Sequence, residues 1–191
     1  MRYATLASML AASLILAAPA VAVGQSCFRG RLEPACRAFT VLEFTGGIRL
    51  TEKSVPTDRN QTFLYWSGGY LKNIGSRSAL GAAFKLTADS DGHRYGPVAR
   101  YRRWLGPRSS LDFAPGIYVG GKENFTAPRF PSPTADVALN YRDWLGFAIG
   151  IDALRQADGP TQWQWHAGMR FGTWLAPLAT LGLGVLAAAT Y

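Results

Sequence analysis

Residues Ala79–Asp89 read ALGAAFKLTAD, and their hydrophobicity alternates from one residue to the next. On an extended strand, Leu80, Phe84 and Leu86 fall on one face, and Lys85 falls on the other. Alternation with a period of two residues is typical of a β-strand and not of an amphipathic helix. The bulky apolar face opposes a face of small and charged residues. This pattern predicts a strand of a membrane barrel, whose lipid side is apolar and whose interior is polar.

The same alternation recurs along most of the chain and predicts further strands. The predicted strands are Phe39–Leu50, Thr62–Lys72, Ala79–Asp89, His93–Trp104, Ser110–Gly120, Thr134–Arg142, Leu145–Leu154 and Gln162–Gly172. Strands of about 10 residues match the span of a transmembrane strand. We therefore predict an all-β fold, an antiparallel up-and-down transmembrane β-barrel of about eight strands, over residues 39–174.

Two details of these strands stay open. The second strand is aromatic on both faces, so its orientation is ambiguous. Pro97 and Pro115 lie inside predicted strands, where proline removes a ladder hydrogen bond. We expect these prolines to mark bulges or strand ends.

The composition indicates one folded domain. The chain has 191 residues, is 48% hydrophobic and 17% charged, and has a formal net charge of +8. Soluble domains are usually about 25% charged. A disordered chain is excluded, because disorder needs low hydrophobicity and high net charge.

The two ends of the chain differ from the barrel. Residues 1–24 combine Arg2, an apolar segment and small residues at Ala20 and Ala22, which predicts a cleaved secretory signal peptide. Residues 25–38 are predicted to form a periplasmic cap, and export to an oxidising compartment predicts a Cys27–Cys36 disulfide. Residues 175–191 are apolar and uncharged, and they read as an apolar tail or as a last strand.

The connections alternate in length. Lys72–Ser78, Leu105–Ser109 and Asp143–Trp144 are short, whereas Thr51–Gln61 and Lys122–Pro133 are long. Short periplasmic turns and longer outer loops are typical of outer-membrane barrels. A Trp-Leu step recurs at the short-turn end, with its tryptophans at Trp104, Trp144 and Trp174. Tryptophan at this level is predicted to anchor the membrane interface.

These features together resemble the small eight-stranded bacterial outer-membrane barrels. The stretch CFRGRLEPAC before the first strand and the YRRWL turn at Tyr101–Leu105 are similar to an uncharacterised family of outer-membrane barrel-domain proteins. The resemblance covers about Cys27–Trp174. It implies a bacterial outer-membrane location and outer-membrane lipid as the partner, and it contributes no catalytic motif.

The inward face predicts a polar core. Its charged members are Glu43, Asp89, Asp112, Asp136 and Asp152 against Arg49, Lys85, Arg94, Arg100, Arg102, Arg142 and Arg170. An eight-stranded barrel has room inside for side chains only, so these charges should pair across a filled lumen. We name Glu43, Lys85, Arg100, Asp112, Asp152 and His166 as the lumen polar core.

No motif for catalysis, a metal or a cofactor stands out. His93 and His166 have no partner at metal-ligand spacing, and the predicted export argues against nucleic acid as a partner. We predict a structural or interaction barrel without enzymatic activity, whose protein partners the sequence does not indicate. Two alternatives stay open, a lipid-modifying outer-membrane enzyme on the same scaffold and a soluble periplasmic lipocalin-like carrier.

Overall fold

The computed structural model describes residues 36–50, 62–89, 92–123, 128–142, 144–156, 161–172 and 176. Ten β-strands lie in these ranges: β1 Ala38–Leu50, β2 Thr62–Asn73, β3 Ser78–Asp89, β4 Gly92–Trp104, β5 Ser109–Tyr118, β6 Gly120–Glu123, β7 Pro128–Arg129, β8 Ser132–Tyr141, β9 Leu145–Gln156 and β10 Gln162–Gly172. In the described ranges, no helix has the length and apolar character needed to cross a membrane.

Eight of these strands form a closed antiparallel barrel. Each strand pairs with its neighbour in the order β1, β2, β3, β4, β5, β8, β9 and β10, and β10 pairs with β1 to close the ring. The short strands β6 and β7 follow β5 and precede β8, and they pair with β4 and β9. The predicted all-β, eight-stranded up-and-down barrel is confirmed.

The register around the ring fixes the width of the barrel. Starting at Ala38, the paired residues run through Lys72, Leu80, Tyr101, Phe113, Val137, Ile149 and Ala167 to Ile48. The path thus returns to β1 ten residues farther along the strand, which is the shear of the barrel. Eight strands with this shear tilt by about 40° and leave an interior of side-chain width.

Both prolines lie where the pairing of β4 with β5 is interrupted. Val98 pairs with Gly116, and Tyr95 pairs with Gly120. Between these pairs, the two residues 96–97 of β4 oppose the three residues 117–119 of the segment that runs from β5 to β6. This is a β-bulge, and Pro97 lies in it. Pro115 pairs with β8 but has no assigned partner in β4.

The side chains alternate as the sequence predicts. Leu80, Phe84, Ile117 and Ile149 point outward, each at least 42% exposed. In β2, whose orientation the sequence leaves open, Phe63, Tyr65 and Leu71 are buried in the interior. Phe44 is an exception among outward residues, because it is buried between Trp66 on β2 and Phe171 on β10.

The two ends of the barrel differ. At the turn end, where residues 74–77 and 105–108 join strands, an apolar plug lies in the interior along β1–β4. The plug consists of Phe39, Val41, Leu71, Ala79 and Trp104. Trp104 therefore packs inside and is not the interface anchor that the sequence predicts. The opposite end, where β1 ends and β2 begins, is called the loop end.

Several predictions fall on parts of the chain that the structure does not describe. The signal peptide, Cys27, the loop Thr51–Gln61 and Trp174 lie outside the described residues, as does the tail at 175–191 except for Ala176. Of the predicted cap, only residues 36–38 are described. The signal peptide, the Cys27–Cys36 disulfide and the domain bounds stay predictions.

Candidate functional site

The candidate site is the lumen, where charged side chains pack in two groups above the apolar plug. The first group, here called the turn-side cluster, lies nearer the turn end. It consists of Glu43, Tyr65, Arg100, Arg102, Asp112 and Arg170. Strand alternation places these side chains inward from five different strands. The contacts of Glu43 with Arg100 and of Arg170 with Asp112 join strands that are not neighbours.

Two carboxylates hold three guanidinium groups in the turn-side cluster. Nη2 of Arg100 lies 2.5 Å from Oε1 of Glu43 and also contacts Asp112. Arg102 donates from Nε to Oδ1 of Asp112 at 2.6 Å and from Nη2 to Oδ2 at 2.8 Å. This is the bidentate geometry in which arginine binds carboxylates best.

The third arginine extends the turn-side cluster to β10 and β2. Nη1 of Arg170 lies 3.3 Å from both Glu43 and Asp112, and its Nη2 donates to the Tyr65 hydroxyl at 2.9 Å. With three arginines and two carboxylates, the turn-side cluster has an excess of one positive charge.

The second group, here called the loop-side cluster, balances its formal charges. It consists of Arg49, Lys85, Asp89, Arg94, Asp136, Asp152 and His166, with Tyr118 and Thr134 as hydroxyl partners. Asp89 accepts from Arg94 at 3.0 Å and also contacts Arg49. Nζ of Lys85 lies 2.7 Å from Asp136.

A glycine allows the histidine of the loop-side cluster to reach its partner. Nε2 of His166 lies 2.8 Å from Oδ1 of Asp136, although β10 and β8 are separated by β9. Gly150 of β9 pairs with both residues, and a Cβ atom there would collide with the Asp136 carboxylate and the His166 ring. A residue with no side chain is therefore required between them.

Aromatic residues connect the two clusters. Nζ of Lys85 lies 4.5 Å from the centre of the Tyr65 ring, whose hydroxyl belongs to the turn-side cluster. The Tyr118 hydroxyl donates to Asp152 at 3.2 Å. Sequence reasoning did not single out either tyrosine. The alternation of β5 places Tyr118 inward. In β2 both faces are aromatic, so the sequence does not show that Tyr65 points inward.

The structure brings the predicted lumen residues together in these two clusters. Glu43, Arg100 and Asp112 meet in the turn-side cluster, and Lys85, Asp152 and His166 meet in the loop-side cluster. All six side chains are buried. The prediction is wrong for Arg142, which is exposed. This residue lies in the turn after β8 with a positive φ, where the alternation of the strand has ended.

The arrangement is suited to holding the barrel together. Buried charges must be paired, and some of these pairs, such as Glu43–Arg100 and Lys85–Asp136, also tie strands that lie across the lumen from one another. Within the described ranges, no group of three or more His, Cys, Asp or Glu side chains is placed to bind a metal ion.

Comparisons with known proteins add one structural similarity. No protein-family model matches the chain, and no curated protein matches it in sequence. One solved structure with a similar fold comes from work titled "De novo design of transmembrane beta-barrels". The match has 13% sequence identity and a TM-score of 0.39, and it covers 73% of this chain and 98% of the other.

Proposed function

We propose that this protein is a bacterial outer-membrane β-barrel with a structural or interaction role, a filled lumen and no enzymatic activity. The observation that carries the proposal is the distribution of polarity across the wall. Arg100 and Asp112 are buried inside the barrel, whereas Phe84 and Ile149 are exposed outside it. Hydrocarbon outside and paired charge inside is the arrangement that a lipid bilayer favours.

The outer surface supports insertion into a bilayer. Large apolar side chains are exposed on the outward faces of β3, β5, β8 and β9. They include Leu80, Phe84, Leu111, Phe113, Ile117, Val137, Leu139, Phe147 and Ile149. In water, so large an exposed apolar surface favours association. In a bilayer, a closed barrel leaves no strand edge unpaired in the hydrocarbon.

The packed interior supports a role other than conduction. The turn-side cluster lies next to the apolar plug, because the Arg102 guanidinium lies 5.8 Å from the centre of the Phe39 ring. Charged clusters and the plug thus follow one another along the lumen. We infer that the barrel is not a pore and that its exposed ends and outer surface carry its interactions.

The two alternative functions, a lipid-modifying enzyme and a soluble carrier, receive less support from the positions of the histidines and of the apolar side chains. His166 is buried between carboxylates, away from the bilayer surface where a lipid-modifying enzyme needs its base. His93 is exposed on β4, and among the described residues no hydrogen bond or ion pair joins it to a serine or a carboxylate. A soluble lipocalin-like carrier would turn its apolar side chains inward, whereas here they face outward.

Membrane fractionation tests the proposal. We expect the full chain to sediment with outer membranes and to migrate on gels as a compact band that shifts after heating. Recovery in the soluble periplasmic fraction would overturn the membrane assignment. In planar bilayers, the inserted protein should give no large steady currents, and such currents would overturn the filled lumen. Release of fatty acid from phospholipid vesicles by the purified protein would overturn the non-enzymatic role.

A further inference from the structure

The turn end of the barrel carries a rim of exposed positive charge, here called the turn-end rim. Its described members are Arg37, Lys72, Arg77, Arg103, Arg108 and Arg142. The acidic side chains that the structure describes, Glu43, Asp89, Asp112, Asp136 and Asp152, all lie in the lumen. Asp143 lies next to Arg142 in the sequence but outside the described residues.

Backbone hydrogen bonds join the chain segments that carry these residues. The amide of Arg142 donates to the carbonyl of Arg108 at 2.7 Å, which joins two turns that both carry arginine. In the same way, the amide of Trp104 donates to the carbonyl of Arg77 at 2.9 Å. Like charges at one end of the barrel repel one another, and a bound anion would relieve this repulsion.

Arg142 occupies a conformation that does not favour arginine. Its φ is 52°, in the left-handed region where glycine is the least strained residue. The chain nevertheless has a cationic side chain at this position. Its guanidinium lies 5.6 Å from the centre of the Tyr141 ring, and Tyr141 packs against Trp144 with ring centres 6.4 Å apart.

Both aromatic residues are exposed, at 44% for Tyr141 and 39% for Trp144. Exposed tyrosine and tryptophan beside a membrane-spanning segment lie at the level of the lipid headgroups. Arginine forms a fork of donors that matches phosphate. The turn-end rim therefore presents phosphate-binding groups at headgroup height, which favours a lipid over a soluble anionic polymer.

We propose that the turn-end rim binds the phosphate groups of anionic glycerophospholipids in the leaflet that surrounds this end of the barrel. The inference rests on the proposed function, since it requires the barrel to span a bilayer. Each Arg or Lys near an anionic membrane surface contributes about 1 kcal/mol, which is about a fivefold change in binding.

Lipid retention tests the proposal. The full chain is reconstituted in vesicles of equal phosphatidylglycerol and phosphatidylcholine, extracted with a membrane-solubilising polymer, and its retained lipids are quantified by mass spectrometry. We expect phosphatidylglycerol to be enriched around the wild type, and the enrichment to fall about 25-fold in Arg108→Gln/Arg142→Gln, which is about fivefold for each arginine removed. Lys122→Gln, which removes an exposed cation at the loop end, is the matched control and should retain the enrichment.

Equal lipid ratios for the wild type and the double variant would overturn the proposal. Enrichment of lipid A over phosphatidylglycerol, in vesicles that contain both, would overturn the assignment to glycerophospholipids. The heat-dependent gel shift of the same samples reports insertion. Loss of the gel shift in the wild type would contradict the proposed function. A normal gel shift without phosphatidylglycerol enrichment would contradict only the proposal that the turn-end rim binds lipid.

Arg142→Gly separates lipid binding from folding. Glycine relieves the positive φ, so the variant should be at least as stable as the wild type while its phosphatidylglycerol enrichment falls. Arg142→Lys keeps the charge and should keep most of the enrichment. Unchanged enrichment in Arg142→Gly would contradict a role of this side chain in lipid binding.

Discussion

The guanidinium of Arg100 and the carboxylate of Glu43 meet across the lumen, with Nη2 and Oε1 2.5 Å apart. Their strands, β4 and β1, are not neighbours, because β2 and β3 lie between them on the shorter way around the ring. Backbone pairing in a barrel links only neighbouring strands. Contacts of this kind therefore add a second set of connections through the interior. Substitutions at these contacts measure how much stability the connections contribute.

Arg100→Ala should destabilise the barrel strongly. The substitution leaves Glu43 and Asp112 with fewer cationic partners, and breaking a buried ion pair typically costs about 3–5 kcal/mol. The free energy of unfolding is measured by urea titration of the protein folded in phospholipid vesicles. Lys122→Ala removes an exposed cation of β6, outside both the lumen and the turn-end rim, and should change this free energy little. Equal losses for both variants would contradict a special role of the buried pair.

Lys85 and Asp136 should behave as a coupled pair. Lys85→Met and Asp136→Asn each leave a partner uncompensated, because Nζ and Oδ2 lie 2.7 Å apart in the buried interior. The double variant removes both charges and should lose less stability than the sum of the single variants, by about 0.5–3 kcal/mol. Lys122→Met, at an exposed position of β6 at the loop end, is the control and should have little effect. Additive losses would show that the two charges do not interact.

Gly150→Ala should weaken the contact between His166 and Asp136. The added methyl group would occupy the space between the imidazole and the carboxylate, so one of them must move. We expect a loss of about 1–3 kcal/mol in the free energy of unfolding. In a His166→Ala background the methyl group has more room, and the same substitution should cost less. An equal cost in both backgrounds would mean that the collision with the Asp136 carboxylate, and not the His166 contact, explains the loss.

The strands and their faces were predictable because alternation is a local property. The bounds of β3, Ser78–Asp89, differ by one residue from the predicted strand at Ala79–Asp89. The bulky outward faces of β3 and β9 were predicted because neighbouring residues there differ in polarity. In β2 this contrast is absent, since Tyr65 inside and Trp66 outside are both aromatic. Tyr65 faces the lumen, where its hydroxyl binds Arg170 and its ring lies beside Lys85.

The pairing of charges was not predictable from the sequence. Which side chains meet across the lumen depends on the shear of the barrel, and no local pattern encodes that number. Trp104 and Trp144 illustrate the same limit at the turn end. Both stand in a Trp-Leu step, but Trp104 lies on the inward face of β4 and packs in the plug, whereas Trp144 lies in a turn and is exposed.

Ile149→Arg tests whether the outer wall faces hydrocarbon. Ile149 lies near the middle of β9 and is 45% exposed, so a charge there would enter the centre of the bilayer. An arginine on the lipid face costs about 2–4 kcal/mol at the midplane and about 0–1 kcal/mol near the interface. Ile74→Arg is the matched control, because Ile74 is 59% exposed in the turn after β2. We expect the free energy of unfolding in vesicles, measured by urea titration, to fall for Ile149→Arg and to change little for Ile74→Arg. On the surface of a soluble barrel neither arginine would carry this depth-dependent cost, so equal effects for the two variants would contradict a membrane-spanning wall.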